Sequence, residues 1–132
     1  MRIHISLNVK DVPRSISFYS RIFGVEPQKK TDTYAKFDLK KPPLNFAMQS
    51  GGKVSQVSHL GIEVDTPEEV QAWKKKLREC GVLKSVETDS TCCFARQDKA
   101  WFSDPDGNEW EVFYVYEQLP ITQPEKRSAC CA

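Results

Sequence analysis

A stretch beginning at His4, HISLNVKDVPRSISFYSRIFGV, is echoed 55 positions later by HLGIEVDTPEEVQAWKKKLRECGV, beginning at His59. Each copy reads as a histidine, an alternating strand, a turn with proline, an amphipathic helix and a closing Gly-Val. The two copies also agree in length: Gly24 follows His4 by 20 positions and Gly81 follows His59 by 22. An internal repeat of this size restricts the fold to two copies of one supersecondary unit packed together.

Local signals fill in the unit. In the first strand Ile3, Ile5, Leu7 and Val9 share one face and His4, Ser6 and Asn8 the other. In its repeat Leu60, Ile62 and Val64 lie opposite His59, Gly61 and Glu63. The first helix is expected over 13–23, with Ile16, Tyr19 and Phe23 inward and Gly24 ending it. The second opens on Thr66 as N-cap, with Pro67 at its first position and Glu69 completing a capping box. Its apolar stripe is Val70, Trp73, Leu77 and Cys80, and Gly81 provides the stop.

Strand-like pieces follow each helix. After the first come TYAKFDL and LNFAMQS, separated by Lys40-Lys41-Pro42-Pro43. After the second come STCCFAR, AWFSD and EWEVFYVY, the last two joined by the turn Asp104-Pro105-Asp106-Gly107. The expected topology is β-α-β-β-β used twice, an α+β domain over 1–120 with modules at about 1–53 and 54–120. The tail 121–132 lacks apolar periodicity and is expected to be flexible.

Bulk properties narrow the class. A chain of 132 residues suits one domain and buries a core without disulfides. With 28% charged residues and a net charge of +1, it carries no electrostatic footprint for nucleic acid or anionic lipid. No apolar run approaches a membrane span, and the N-terminus lacks a signal-peptide core, so a cytoplasmic protein is expected. Its five cysteines should then be reduced. Four of them form the adjacent pairs Cys92–Cys93 and Cys130–Cys131, and immediate neighbours are poor disulfide partners.

The chain's two histidines, His4 and His59, hold equivalent places in the repeat, each on the strand face opposite the helices. A solvated sheet face would explain one such histidine; symmetry that brings two first strands together lets both converge. A carboxylate joins them from the last strand. Glu111 lies between Trp110 and Val112, where burial is costly unless it is paired or metal-bound; Glu109 has the same parity but sits at the strand's entrance. Two imidazoles and one carboxylate match the facial triad of non-haem Fe(II) oxygenases, although Ni, Co, Mn or Zn suits similar ligands.

Together, the paired β-α-β-β-β units, His4, His59 and the stretch DPDGNEWE ending in Glu111 resemble the vicinal oxygen chelate superfamily over roughly 1–118. That superfamily includes glyoxalase I, extradiol dioxygenases, thiol transferases acting on fosfomycin and bleomycin-binding proteins. The resemblance implies a curved mixed sheet with helices on its convex side, and His4, His59 and Glu111 as metal ligands. It implies no one reaction.

The adjacent Cys92 and Cys93 are similar to one branch, the carbon–arsenic lyases that demethylate trivalent organoarsenicals. The match rests on NVKDVPRSISFYSRIFG, SHLGIEV, Thr91-Cys92-Cys93 and DPDGNEWEVF. In that family two cysteines hold As(III) while Fe(II) at the triad activates dioxygen beside the As–C bond. The resemblance makes Cys92 and Cys93 the substrate clamp, methylarsonous acid or a trivalent aromatic arsenical the substrate, dioxygen the co-substrate and arsenite the product. Soft thiolates suit As(III), but strict alternation would send adjacent side chains to opposite faces, so a loop or bulge is expected at the pair. Phe94, Arg96, Lys99 and Trp101 flank the clamp. Cys80 is expected to pack, Tyr114 and Tyr116 to be core, and Asp104 and Asp106 to form a turn. Cys130 and Cys131 stand as candidate extra soft ligands. The alternatives are a glyoxalase-like isomerase or thiol transferase, and a non-enzymatic heavy-metal or cadmium-binding stress protein. A monomer and a homodimer both remain open.

Overall fold

The protein is described by a computed structural model, which covers residues 1–54 and 56–121. The elements in chain order are β1 (Arg2–Asn8), α1 (Val12–Phe23), β2 (Lys29–Lys30), β3 (Tyr34–Lys40), β4 (Pro43–Gln49), β5 (Val57–Glu63), α2 (Pro67–Glu79), β6 (Leu83–Cys92), β7 (Ala95–Ser103) and β8 (Glu109–Gln118). All eight strands join one mixed sheet in the order β2-β3-β4-β1-β5-β8-β7-β6. This is the expected α+β architecture. The first module's three later strands include β2, a two-residue strand with no sequence signal of its own.

The order follows from the repeat. Each first strand runs parallel to the last strand of its own module, β1 beside β4 and β5 beside β8. The modules meet where β1 and β5 pair antiparallel, so equivalent strands lie side by side at the centre. Residues of the two histidine-bearing strands are thereby brought within reach of each other.

Each helix packs its apolar stripe on its own module. Ile16, Tyr19 and Phe23 of α1 join Val12, Ala35, Phe37, Leu39, Phe46 and Met48 in one cluster. Val70 and Trp73 of α2 join Val64, Val112, Phe102 and Tyr114 in another. Asp11 caps α1 through its carboxylate to the Arg14 N–H (3.1 Å), and Gly24 ends it at φ 70°. Thr66 accepts from the Glu69 N–H (3.2 Å), as the capping pattern requires, while the Glu69 carboxylate reaches the Asp65 N–H (2.8 Å).

Cys80 departs from expectation: it is exposed rather than packed. Helix α2 ends at Glu79, and Cys80 falls at its C-cap, where the chain turns away before Gly81 at φ 72°. Tyr114 packs into the second cluster, but Tyr116 is 38% exposed and donates to Asp98 Oδ2 (2.7 Å). Tyr116 falls at the register shift of the β7–β8 ladder, between the pairs Gln97–Val115 and Arg96–Glu117. Cys130 and Cys131 lie outside the described residues.

Candidate metal centre

Register builds the site. Across three neighbouring strands, His4 pairs with Gly61 and Gly61 with Glu111. His59 lies two residues before Gly61, on the same face of β5 and opposite Ser6. Gly61 is the open floor between the ligands. A Cβ there would sit 2.9 Å from Glu111 Cγ, closer than a side chain tolerates, and a tight 3.2 Å from His4 Cδ2.

His4, His59 and Glu111 are all buried, and one donor atom from each lies within 4.8 Å of the others. His4 Nε2 is 3.1 Å from His59 Nε2; Glu111 Oε1 is 3.4 Å from the first and 3.5 Å from the second. Ligand bonds of about 2.0–2.2 Å set neighbouring donors roughly 3.0 Å apart in an octahedron and roughly 3.4 Å apart in a tetrahedron. The three donors therefore fit around a divalent transition metal without rearrangement. One face remains for other ligands.

The electrostatics favour the metal-binding forms. Burial lowers the His4 pKa to about 4, with His59 and Lys99 adding to the effect against the attraction of Glu111, so His4 is neutral at pH 7. Its Nδ1 faces two acceptors, Asn45 O (3.0 Å) and Asn45 Oδ1 (3.1 Å). Nδ1 must then carry the proton, and Nε2 presents its lone pair to the cluster. Burial of Glu111 favours its neutral form, but Lys99, His59 and His4 outweigh that and hold its pKa well below the carboxylate range.

Lys99 is the part of the centre that parity alone did not reveal. From β7 its Nζ donates to Glu111 Oε2 at 2.8 Å, with both side chains almost fully buried. That bond occupies one carboxylate oxygen and leaves Oε1 turned towards the histidines. Trp101, also on β7, sets its ring edge-on to His59 with centroids 5.3 Å apart. Of the other flanking residues, Arg96 pairs with Asp89 (3.2 Å) away from the centre.

STCCFAR is not one strand. β6 ends at Cys92, β7 begins at Ala95, and Cys92 pairs with Ala95 across a two-residue hairpin turn made of Cys93 and Phe94. Both turn residues are left-handed, at φ 51° and 58°. This is the conformation of the tight hairpin turns that normally use Asn or Gly, and it costs roughly 1–2 kcal/mol per ordinary residue. The turn replaces strand alternation with a bend that brings the Cys92 and Cys93 sulfurs to 3.4 Å, too far apart for a mutual S–S bond. Both cysteines are disulfide-bonded in this structure, against the expectation that they are reduced, so the pair becomes available to a soft ligand only on reduction. Cys93 lines the same pocket as His4, His59, Glu111 and Lys99, while Cys92 is buried beside it against Trp101.

The remaining candidates sort plainly. Glu109 bonds to Lys84 and to Ser103 Oγ (3.0 Å) at the strand's entrance, as its position suggested. Asp104 accepts from the N–H groups of Asp106 (2.9 Å) and Asn108 (2.8 Å) and is a turn former. Lys36 shares the pocket wall; burial lowers its pKa to about 8, and its Nζ donates to Gln118 Oε1 (3.2 Å). Among the described residues no helix is long and apolar enough to cross a membrane.

Comparison with known proteins agrees with this picture. Residues 3–112 match the model of the Glyoxalase/Bleomycin resistance protein/Dioxygenase superfamily. A trivalent organoarsenical cleaving enzyme of Bacillus sp. (strain MD1) is 51% identical over 130 residues, covering 96% of this chain and 81% of that protein. A probable trivalent organoarsenical cleaving enzyme of Bacillus subtilis (strain 168) is 44% identical over 98% of this chain and 89% of its own length. A cadmium-induced protein of Mycobacterium bovis is 41% identical over 86% of this chain and 76% of its own length. Among solved structures, an extradiol ring-cleaving dioxygenase from B. fuscum superposes with a TM-score of 0.69 at 22% identity, covering 90% of this chain and 34% of that one.

Proposed function

Because this chain belongs to the Glyoxalase/Bleomycin resistance protein/Dioxygenase superfamily, we propose that its buried triad serves an enzyme cleaving the carbon–arsenic bond of trivalent organoarsenicals. The substrate is methylarsonous acid or a trivalent aromatic arsenical, and the arsenic product is arsenite; for methylarsonous acid the balance CH3As(OH)2 + O2 → As(OH)3 + CH2O carries the methyl carbon away as formaldehyde and both oxygen atoms into the products. One observation carries the reading: Cys93, with the Cys92 sulfur 3.4 Å away, lines the pocket that holds His4, His59 and Glu111. Relatives named for organoarsenical cleavage support it.

The residues divide the work. His4, His59 and Glu111 hold the metal, for which we propose Fe(II); bound there, it supplies the activation of dioxygen. Once reduced to thiolates, Cys92 and Cys93 capture the trivalent arsenic, a soft centre that thiolates bind far better than carboxylates do. Capture places the As–C bond inside the pocket and makes its oxidation effectively intramolecular. Lys99 and Asn45 orient the ligands by holding Glu111 Oε2 and His4 Nδ1. Trp101 and Phe113 wall the site and limit water around the reacting bond.

The test is product speciation. Reduced protein with Fe(II) and methylarsonous acid should release arsenite in air and none without oxygen. The cadmium-induced relative favours a second reading, sequestration of soft ions. Binding of arsenical or Cd(II) with no oxygen-dependent product would select it. An isomerase or thiol transferase of the same superfamily would keep its activity when Cys92 and Cys93 are replaced by serine.

A further inference from the structure

The two ends of the sheet meet. β2 is the first strand in the sheet order and β6 the last, yet Lys29 of β2 donates through its Nζ to the backbone oxygen of Phe94, in the β6–β7 turn 65 residues away. The Lys29 side chain is buried, with its ammonium 6.0 Å from the centre of the Phe94 ring. Tyr34 of β3 sets its ring 6.3 Å from the same ring. Phe94 O also accepts from the Leu119 N–H at 2.7 Å.

We propose that Lys29 is a positioning residue for the thiol pair: a cation from the first module that clasps the Cys92–Phe94 turn of the second over the metal centre. The inference rests on the reading of Cys92 and Cys93 as an arsenical clamp. Two consecutive non-glycine residues in the left-handed region do not hold that conformation by local preference, so the turn needs outside support. The structure supplies it at the carbonyl on each side of Cys93. Gln97 Nε2 donates to Cys92 O (2.9 Å), and Lys29 and Leu119 together saturate Phe94 O. Gln97 and Leu119 belong to the second module. Lys29 belongs to the first, and its bond ties the thiols' position to the module that also supplies His4. A charged donor on a buried carbonyl is stronger than a neutral one, which suits a contact working against backbone strain.

The experiment compares Lys29→Met and Lys29→Arg with wild type, all reduced beforehand. Three quantities are read: amide hydrogen exchange over 92–97 and over 57–63, affinity for phenylarsine oxide by intrinsic tryptophan fluorescence, and affinity for Ni(II) at the triad. Lys29→Met should speed exchange over 92–97 at least tenfold, leave 57–63 unchanged, and weaken phenylarsine oxide binding about tenfold. Ni(II) affinity should stay within twofold, and Lys29→Arg should restore most of the loss. Wild-type arsenical affinity in Lys29→Met overturns the proposal, as does an equal loss of Ni(II) binding, which marks a merely structural role. Turnover does not enter these readouts. An arsenical held in a Lys29-dependent way but never cleaved would remove the lyase reading and leave this one standing.

Discussion

Lys99 Nζ lies 2.8 Å from Glu111 Oε2, and that bond decides which carboxylate oxygen faces the two histidines. The pair is buried on both sides. Without a metal, Lys99 is the nearest full positive charge to a carboxylate that burial would otherwise neutralise.

Removing the ammonium should therefore be costly in the metal-free protein. Lys99→Met leaves a buried carboxylate short of its partner, and unfolding free energy should fall by about 3–5 kcal/mol. A divalent metal on Oε1 supplies the missing charge. Saturating Ni(II) should raise the melting temperature of Lys99→Met by more than it raises that of wild type, a difference that calorimetry reads directly.

Gly61 makes the second prediction. Its replacement by alanine puts a Cβ 2.9 Å from Glu111 Cγ and 3.0 Å from the Glu111 backbone oxygen. One of the neighbouring ligand strands must shift. Metal affinity by isothermal titration should drop about 10–100-fold, the range seen when a ligand's support is lost. The thiols' affinity for phenylarsine oxide should barely change.

Lys36 predicts a pH dependence. Burial lowers its folded pKa from 10.5 to about 8. Between those values the unfolded chain binds more protons than the folded one, so the penalty for burying the charged Lys36 is full below about 8 and is relieved as pH rises towards 10.5. The unfolding free energy of wild type minus that of Lys36→Met, read from urea titrations, should increase from pH 7 to pH 10 by at most about 3 kcal/mol, as a pKa moved from 10.5 to about 8 allows. A flat difference would contradict the burial argument.

The thiols should differ in one respect. Cys92 is core and Cys93 is pocket wall. In reduced protein, Cys92→Ser buries a hydroxyl against Trp101 and should cost about 1–2 kcal/mol of stability, whereas Cys93→Ser should cost little. Both should lose most arsenical affinity, because one thiol cannot replace a pair.

Much of this was legible in the chain because its signals are local. The alternation that put His4 and His59 opposite the helices, the Thr66–Glu69 cap and the apolar stripes each depend on a few neighbouring residues. The choice of Glu111 over Glu109 needed only the cost of burying a carboxylate mid-strand. Lys99 needed more: its place opposite Phe113, two pairs from Glu111, depends on the β7–β8 register, which no single strand encodes. The break expected at Cys92–Cys93 is present, but its form as a two-residue hairpin within STCCFAR was hidden because Cys93 and Phe94 lack the glycine or asparagine such a turn prefers. Local rule and observed backbone disagree there, at the residues proposed to grip the substrate. Lys29 was invisible for a third reason: β2 is two residues long, and its contact spans the whole sheet.

The central claim is spatial: an arsenical held by Cys92 and Cys93 sits beside the metal held by His4, His59 and Glu111. Binding 4-fluorophenyl arsenoxide to reduced protein loaded with Co(II), and again with Zn(II), tests it through the ¹⁹F signal. The account predicts strong paramagnetic broadening and shift with Co(II), lost in Glu111→Ala, where the arsenical still binds but the metal does not. A bound ¹⁹F resonance identical in the Co(II) and Zn(II) proteins, with both metals seated at the triad, would contradict it.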